Sequence, residues 1–231
     1  MTDLQRRVDA LGQFRVADVA SPVLTKDDHH HLFKVLRARA GEEVVVTNGA
    51  GRVAMARVDE SVITRISDVV TDPQPATTTV YLAPLRGDRG EWAIAKLTEL
   101  GVSTVVPLVC ERLAVKFTGD ARDKLLGRWR KIAAEASGQC RRSYDLLVAD
   151  PVSVADVPLS VAVAMPGESG TLTGVSAIAI GPEGGWSSSE WPDDQPRIGF
   201  GETVLRTETA ALVAGTLLKF GGVQWPRLSS E

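Results

Sequence analysis

One change of pattern constrains the fold of this chain most, and it falls at residues 71–75, a segment with two prolines that has the composition of a linker. Before this segment, the apolar residues are spaced as in short strands. After it, short apolar runs alternate with longer stretches of helical periodicity. Strands that alternate with helices predict a parallel sheet covered by helices. We therefore expect a small domain over residues 1–72 and an α/β domain over residues 73–231.

The first predicted domain is a small β-barrel that carries one helix. Residues 44–47 form a β-branched run, and an Asn-Gly turn separates them from the alternating run at residues 52–58. Two such runs around an Asn-Gly turn predict a hairpin. Thr25 and Asp28 form a capping box, which predicts that the helix begins there.

The second predicted domain contains strands and helices in alternation. We place strands at residues 80–83, 102–109, 160–164 and 177–180, and helices at residues 88–100, 121–139 and 207–220. Pro107 cannot donate to a ladder, so its strand is expected near a sheet edge or at a bulge. Thr207 is the predicted N-cap of the last helix. The inner stripe of that helix is predicted to be Ala211, Leu212, Gly215 and Leu218.

Charge is unevenly distributed along the chain, although the formal net charge is only −3. Residues 86–142 hold 12 Lys and Arg against 7 Asp and Glu, whereas residues 143–231 hold 4 against 11. This asymmetry indicates either a local basic surface for a polyanion or solvated helix faces without a function.

Composition argues against several classes of protein. The chain has no run of about 18 apolar residues, so we expect no membrane span, and its first residues lack the apolar core of a signal peptide. Cys110 and Cys140 form no CxxC pair, which argues against a zinc site and against a disulfide framework. We therefore expect a metal-free protein of the reducing cytoplasm.

The stretch at residues 180–186, Ile-Gly-Pro-Glu-Gly-Gly-Trp, is the most informative for chemistry. A buried strand ends there in a loop with three glycines, and ligands of open α/β sheets bind beyond the carboxyl ends of the strands. The loop has neither the GK[ST] of a Walker A motif nor a GxGxxG pattern, so a phosphate cradle is unsupported. Its main-chain groups suit a neutral, planar ligand such as adenine. The alternative is that the loop is an ordinary tight turn that binds no ligand.

A second segment, at residues 199–210, is predicted to be a glycine-bounded strand that runs into the last helix. Arg206 stands just before that helix, where the helix N-terminus attracts anions and an arginine strengthens the attraction. The structural alternative is an ion pair of Arg206 with Glu202 or Glu208.

Together these segments resemble the 16S rRNA (uracil-N3)-methyltransferases of the RsmE type, in the SPOUT superfamily. The family's GPEGG, a following aromatic residue and LRTETA stand here as residues 181–185, Trp186 and residues 205–210. Similar segments upstream are His30, His31, residues 35–37, Gly41, residues 90–92, residues 96–101, Pro107, Glu111, Arg112, residues 128–129, residues 135–136 and Gln139. These matches span almost the whole chain in order, so the joint pattern is more specific than any single motif. The chain departs from the family's pattern at three places. Trp186 stands where the family usually has Phe, and Cys140 stands where it usually has a small residue. The proline that the family usually has shortly after Arg142 is missing.

The resemblance implies a fold and an activity. It implies a PUA-like β-barrel that binds RNA, followed by a SPOUT-type α/β domain whose trefoil knot builds the cofactor pocket from three loops. The implied reaction is transfer of a methyl group from S-adenosylmethionine to N3 of a specific uridine in 16S rRNA, within the small ribosomal subunit. The implied enzyme is a homodimer that needs no metal.

The resemblance and the positions of the loops also imply the site residues. Those expected to hold S-adenosylmethionine are Met165, Pro166, Gly167, Glu168, Ile180, Gly181, Pro182, Glu183, Gly184, Gly185, Gly199, Phe200, Gly201, Val204, Leu205, Arg206 and Thr209. Arg206 is expected to stabilise the charge on the uracil oxygens after N3 has lost its proton. Glu183 or Glu208 is expected either to accept that proton or to be structural. Those expected to contact RNA are His30, Lys34, Arg37, Arg122, Lys124, Arg128, Arg130, Lys131, Arg141 and Arg142.

Other functions stay open at this point. Another SPOUT methyltransferase would act on tRNA, but the N-terminal histidine signature argues against it because that barrel belongs to the rRNA family. A non-catalytic RNA-binding protein would keep the fold, but the intact GPEGG and LRTETA segments argue against it. A dinucleotide oxidoreductase is the most distant alternative, since the GxGxxG fingerprint is missing.

Overall fold

The computed structural model describes residues 3–170 and 174–221, and these pack as two compact units. The first unit comprises the described residues up to 75 together with residues 134–145. The second comprises residues 76–133 and the described residues from 146 onward. The predicted boundary at residue 72 lies close to the first division, whereas nothing in the sequence pattern predicted the return of residues 134–145 to the first unit.

The first unit is built around one sheet. Its elements are α1 (Asp3–Asp9), β1 (Gln13–Arg15), α2 (Lys26–His30), a π-helical turn (His31–Val35), β2 (Glu43–Thr47), β3 (Arg52–Asp59), β4 (Val62–Arg65) and β5 (Val70–Thr71). The strand order is β1-β2-β3-β4, with β5 also paired to β3. Strand β1 runs parallel to β2, and the other pairs are antiparallel.

Two local predictions for this unit are confirmed. Strands β2 and β3 form the expected hairpin, in which Val45 pairs with Met55. Thr25 caps α2, because its hydroxyl oxygen accepts a hydrogen bond from the Asp28 amide at 3.1 Å. The helix α1 was not predicted, so the expectation of a single helix in this domain was wrong.

Residues 134–145 are fixed to the hairpin turn by main-chain hydrogen bonds. The Gly51 amide donates to the Ser143 carbonyl, and the Asp145 amide donates to the Gly49 carbonyl, both at 2.9 Å. The Tyr144 hydroxyl donates to the Asp72 carbonyl at 2.9 Å. The turn between β2 and β3 therefore binds this distant segment and holds it in the first unit.

We expect Gly51→Ala to destabilise the protein by about 2 to 3 kcal/mol, which is more than Gly41→Ala. Both glycines have a left-handed φ, +92° and +94°, so the backbone strain is similar. A Cβ at Gly51 would collide with the Tyr144 phenol, whereas at Gly41 it would meet none of the described residues within 4 Å. Urea unfolding of both variants measures the difference. Equal losses of stability in the two variants would show that the close contact with Tyr144 does not contribute to the effect of Gly51→Ala.

The second unit is an α/β domain, as predicted. Its elements are β6 (Thr79–Leu82), α3 (Arg89–Glu99), β7 (Thr104–Val109), α4 (Gly119–Gln139, of which residues 134–139 pack with the first unit), β8 (Leu147–Val148), β9 (Val152–Ser153), a 3-10 turn (Val154–Asp156), β10 (Ala162–Ala164), β11 (Ala177–Ile180), β12 (Arg197–Ile198) and α5 (Thr207–Phe220). The strand order is β12-β10-β11-β6-β7-β8, with β9 also on β7, and every pair is parallel.

The sheet is buried on both faces, which explains why its strands are continuous apolar runs. Val80 and Ile178 face one core with α3 and α5, and Ala179 faces a second core with Trp191. Helices α3 and α5 approach each other closely at Gly215, where a Cβ would lie 2.6 Å from Leu97 Cδ2. None of the helices in the described ranges combines the length and the apolarity that a bilayer crossing requires.

Strand β7, which contains Pro107, lies next to the edge of the sheet, as predicted, and Pro107 stands between the residues that pair with β8 and those that pair with β9. Other local predictions for this unit need correction. The predicted strand at 199–205 is absent, because β12 ends at Ile198 and residues 199–206 form a loop. The N-cap of α5 is Arg206, whose own side chain makes no capping bond, and Thr207 is the first helical residue. Of the predicted inner stripe, Ala211 and Gly215 are buried, whereas Leu212 and Leu218 are half-buried.

Candidate active site

Three chain segments meet around one cavity at the carboxyl ends of the parallel strands. They are the loop after β10, the GPEGG loop after β11, and the loop that leads from β12 into α5. Because β10, β11 and β12 are parallel neighbours, their carboxyl ends lie at the same edge of the sheet. The cavity has a volume of about 430 Å³, within the range of small-molecule sites.

The cavity is lined by most of the residues expected to hold a cofactor. From that set the lining residues are Met165, Pro166, Ile180, Gly181, Pro182, Glu183, Gly185, Phe200, Val204, Leu205 and Arg206. The expected residues that do not line it are Gly167, Glu168, Gly184, Gly199, Gly201 and Thr209. The structure therefore brings the three predicted loops together, and the part that each residue plays in binding stays a prediction.

Other lining residues were missing from the predicted site. They are Arg89, Ala164, Trp186, Thr203, Thr207 and Ala210. Arg89 is the most important because it brings a charge. It follows β6, which pairs with β11, so the carboxyl end of β6 lies beside the GPEGG loop. An arginine shortly after a buried strand was the available signal, but a single sequence does not reveal which strands are neighbours.

Trp186 forms part of the cavity wall, and Gly181 is needed for it to do so. The indole Nε1 donates a hydrogen bond to the Ala164 carbonyl at 3.0 Å, and the ring packs edge-on against Trp191 with centroids 5.0 Å apart. A Cβ at Gly181 would lie 2.9 Å from Trp186 Cε2. The first glycine of GPEGG therefore leaves room for the aromatic residue that follows the motif, and Trp186 joins the loop to the end of β10.

Gly199 lets two of the cavity segments pass each other at backbone contact. A Cβ there would collide with the carbonyl oxygen of Glu168 and would lie 2.9 Å from its carbonyl carbon. Since these are main-chain atoms, they cannot rotate away as a side chain can. Gly199 and Glu168 therefore shape the cavity without lining it.

The charged groups of the cavity are Arg89, Glu183 and Arg206. The Arg89 guanidinium donates to Glu183 Oε1 at 2.5 Å and lies 3.9 Å from Glu208 Oε2. The Arg206 side chain is exposed and forms no ion pair with any residue that the structure describes. The structural alternative, a pair of Arg206 with Glu202 or Glu208, therefore finds no support within the described ranges, and the cation is available to a ligand.

The residues predicted to contact RNA differ in how available they are. In the first unit His30, Lys34 and Arg37 are exposed. Arg141 donates to the Ala10 carbonyl at 2.8 Å, and Arg142 donates to the Tyr144 carbonyl at 2.9 Å. Burial lowers the pKa of both of these guanidinium groups. They have a structural part, and their contact with RNA stays a prediction.

Five of the basic residues predicted to contact RNA lie on the part of α4 that belongs to the second unit. They are Arg122, Lys124, Arg128, Arg130 and Lys131, and all are exposed. Arg128 pairs with Glu91 at 3.0 Å, and Arg130 pairs with Asp150 at 3.1 Å. Exposed pairs of this kind contribute little to stability, so phosphates can replace these carboxylates at small cost.

Metal binding has no visible support in the described part of the chain. No group of three His, Cys, Asp or Glu side chains with the geometry of a metal site occurs there. His29 is engaged otherwise, since its Nε2 lies 2.9 Å from the Ser61 carbonyl and its ring contacts Phe33. Burial raises the pKa of the Cys110 thiol to about 12, which disfavours the thiolate that metals bind.

Comparison with known proteins agrees with this arrangement. Residues 72–219 match the family described as RNA methyltransferase domain, and residues 24–61 match the RNA methyltransferase PUA domain. The chain is 27% identical to the ribosomal RNA small subunit methyltransferase E of Bacillus subtilis, over 94% of this chain and 96% of that protein. It is 30% identical to the protein of the same name from Mycobacterium tuberculosis, over 84% of each chain.

Solved structures show the same fold. A protein from Legionella pneumophila, solved in complex with the cofactor S-adenosylmethionine, matches at a TM-score of 0.76 and 28% identity, over 90% of this chain and 96% of that one. The ribosomal RNA small subunit methyltransferase E of Neisseria gonorrhoeae, also bound to S-adenosylmethionine, matches at 0.75 and 25%, over 90% and 97%. The chain therefore belongs to the RNA methyltransferase family that carries a PUA domain, together with the ribosomal RNA small subunit methyltransferases E.

Proposed function

We propose that this chain is an S-adenosylmethionine-dependent enzyme that methylates N3 of a uridine in small-subunit ribosomal RNA. The observation that carries the proposal is the cavity at the ends of β10 and β11, where the three loops meet and a cation without an ion-pair partner in the described ranges lies at the wall. Two structural neighbours with the same fold were solved with this cofactor bound.

The residues of the cavity fit S-adenosylmethionine. Its volume of about 430 Å³ is sufficient for a ligand of that size, and much of the wall is apolar, with Ile180, Pro182 and Leu205 among the lining residues. Gly181 and Gly185 expose main-chain groups that suit the adenine ring. When bound, the cofactor supplies a methyl carbon on a positively charged sulfur, so that the N3–carbon bond forms while the sulfur–carbon bond breaks and its electron pair stays on sulfur.

Arg206 is placed to help the nucleophile. N3 of uracil carries a proton and is a poor nucleophile until that proton leaves, after which negative charge spreads onto the flanking carbonyl oxygens. A cation at the wall stabilises that charge as it develops. Arg206 lines the cavity, is exposed at the start of α5 and forms no ion pair with a described residue, so its charge is available to a substrate there.

Glu183 is the better candidate of the two carboxylates for receiving the proton. It lines the cavity and its side chain is 25% exposed. Glu208 is not among the lining residues, and its side chain is only 12% exposed. We therefore assign proton acceptance to Glu183 and a supporting part to Glu208.

The RNA partner and the assembly of the enzyme are further parts of the proposal. The PUA domain match and the exposed cations of α4 support binding to a large RNA. The family resemblance supports a substrate within the small ribosomal subunit, a homodimer, a trefoil knot in the second unit and a cytoplasmic location. The target base must be unpaired or flipped to reach the cavity.

We expect that deleting the gene removes 3-methyluridine from small-subunit rRNA, and that the purified protein with S-adenosylmethionine restores it in the presence of EDTA. Mass spectrometry of nucleosides from isolated 16S rRNA and from tRNA measures both results. Small subunits and naked rRNA from the deletion strain serve as the two substrates. Persistence of 3-methyluridine in the deletion strain would disprove the assignment, and loss confined to a tRNA nucleoside would favour the tRNA alternative.

A further inference from the structure

A cluster of three charged groups at the cavity contains one cation and two carboxylates. Arg89 Nη2 lies 2.5 Å from Glu183 Oε1, which is a charge-assisted hydrogen bond. Arg89 Nη1 lies 3.9 Å from Glu208 Oε2, outside hydrogen-bond range. Glu208 Oε2 is buried and has no hydrogen-bond partner among the residues that the structure describes. One carboxylate is thus paired, the other is unsatisfied, and a single guanidinium lies beside both.

The two carboxylates come from different parts of the fold. Glu183 belongs to the GPEGG loop after β11, and Glu208 belongs to the first turn of α5. Arg89 is the first residue of α3, and its side chain is 33% exposed at the cavity. Arg89 is the basic group of α3 that faces this cluster, and Arg206, from the loop before α5, is the other cation of the cavity wall.

We propose that Arg89 is a positioning residue for proton transfer, and that its guanidinium is shared between Glu183 and Glu208. This inference rests on the proposed function. In the step, the N3–H bond of uracil breaks, its electron pair stays on the ring, and the proton goes to a carboxylate oxygen of Glu183. Before the step, Arg89 holds that carboxylate at the cavity wall. After it, the guanidinium moves by roughly 1 Å and hydrogen-bonds Glu208 Oε2.

The physical reason is a change in the balance between two acceptors. An ionised carboxylate attracts a guanidinium through both a hydrogen bond and opposite charge, whereas a neutral carboxyl group offers only the hydrogen bond. When Glu183 becomes neutral, its attraction for Arg89 falls, while Glu208 still carries a buried oxygen without a donor. A buried acceptor of this kind is costly to leave unsatisfied. The new bond to Glu208 therefore offsets the weakened bond to Glu183 and favours proton acceptance.

A crystal structure of the Glu183→Gln variant tests the shared cation without any assay of activity. The amide has the shape of a protonated carboxyl group and carries no charge. We expect the distance from Arg89 Nη1 to Glu208 Oε2 to contract from 3.9 Å to below about 3.2 Å, relative to wild-type crystals grown in the same way. A distance that stays at the wild-type value would overturn the proposal.

A double-mutant cycle tests the link to catalysis. We expect Arg89→Met to lower the single-turnover rate about 30-fold and Glu183→Gln to lower it about 100-fold. The double variant should be no slower than Glu183→Gln by more than about threefold, because Arg89 acts through Glu183. Arg89→Lys should recover part of the rate, and Glu208→Gln should lower it about fivefold. Effects of Arg89→Met and Glu183→Gln that multiply would overturn the positioning role.

Matched controls separate this role from a structural one. Lys96 lies on the same helix and pairs with Glu99 at 2.7 Å, away from the cavity lining. Lys96→Met should leave the single-turnover rate within about twofold of wild type. If Arg89→Met lowers only the melting temperature and its rate equals that of Lys96→Met, Arg89 is structural and the proposal fails.

The two proposals can fail separately. A wild-type protein that forms no 3-methyluridine, in a chain whose Glu183→Gln crystals show the contraction, would refute the proposed function and leave the shared cation standing. A wild-type protein that methylates rRNA while the distance stays unchanged would refute the shared cation and leave the function standing.

Discussion

We expect Arg206→Ala to lower the single-turnover rate of methyl transfer by a factor of about 10² to 10³, with little change in the affinity for S-adenosylmethionine. The side chain is exposed at the cavity wall and has no ion-pair partner among the described residues. It is therefore available to stabilise charge that exists only after uracil N3 has lost its proton. An interaction made in the transition state alone affects the rate rather than binding. Arg206→Lys should recover only part of the rate, because lysine lacks the planar fork.

Three measurements on the same samples decide the role of Arg206. They are the melting temperature, the cofactor affinity by calorimetry and the single-turnover rate. Lys219→Ala, at the far end of the same helix, is the matched control for loss of a cation. A folded Arg206→Ala variant with a rate near that of wild type would rule out the catalytic role. A rate that falls only in proportion to lost folded protein would show that Arg206 is structural.

The second large effect is expected for Gly199→Ala, which should destabilise the protein by about 4 kcal/mol and abolish binding of S-adenosylmethionine. A Cβ at this position would collide with the main chain of Glu168, so two of the three cavity segments would have to separate. For a chain of this size, a loss of about 4 kcal/mol corresponds to a fall in melting temperature of roughly 8 to 16 °C.

Gly201→Ala is the control for Gly199→Ala. Gly201 has φ +99°, so alanine is strained there by about 1 to 2 kcal/mol. A Cβ at Gly201 would, however, meet none of the described atoms within 4 Å. Calorimetric melting and cofactor titration of both variants separate steric collision from backbone strain. If Gly199→Ala melts within a few degrees of wild type and still binds the cofactor, the close approach of the two segments is unimportant.

The sequence predicted individual helices and strands well, because a helix cap, a hairpin turn or an apolar strand is formed by residues that are neighbours in sequence. The Thr25 cap, the hairpin of β2 and β3, and the short apolar run of β11 are of this kind. The prediction at residues 199–205 was wrong because Gly199 and Gly201 suit a loop as well as a strand, and Gly201 has a left-handed φ of +99°. Thr207 was mistaken for the N-cap, since its type favours that position, yet it is buried as the first residue of the helix.

The candidate site was predicted only as far as its motifs reach. The GPEGG loop and the segment around Arg206 could be recognised because each motif consists of consecutive residues. The family resemblance then predicted that both belong to one cofactor site. Arg89 was missed because its partner Glu183 is 94 residues away, and their meeting depends on β6 and β11 being neighbours in the sheet. Arg141 and Arg142 were predicted to contact phosphates because exposure cannot be judged from charge, and both proved half-buried.

The return of residues 134–145 to the first unit has a consequence for biosynthesis. This unit is discontinuous, so a nascent chain that has emerged only to residue 75 lacks the strand-like partner of its hairpin turn. About 70 further residues must be translated before Tyr144 can pair with the hairpin turn, which takes roughly 4 to 14 s at ordinary elongation rates. During this interval the first unit is exposed in an incomplete state to chaperones and proteases. A fragment cut after residue 75 would stay in that state permanently.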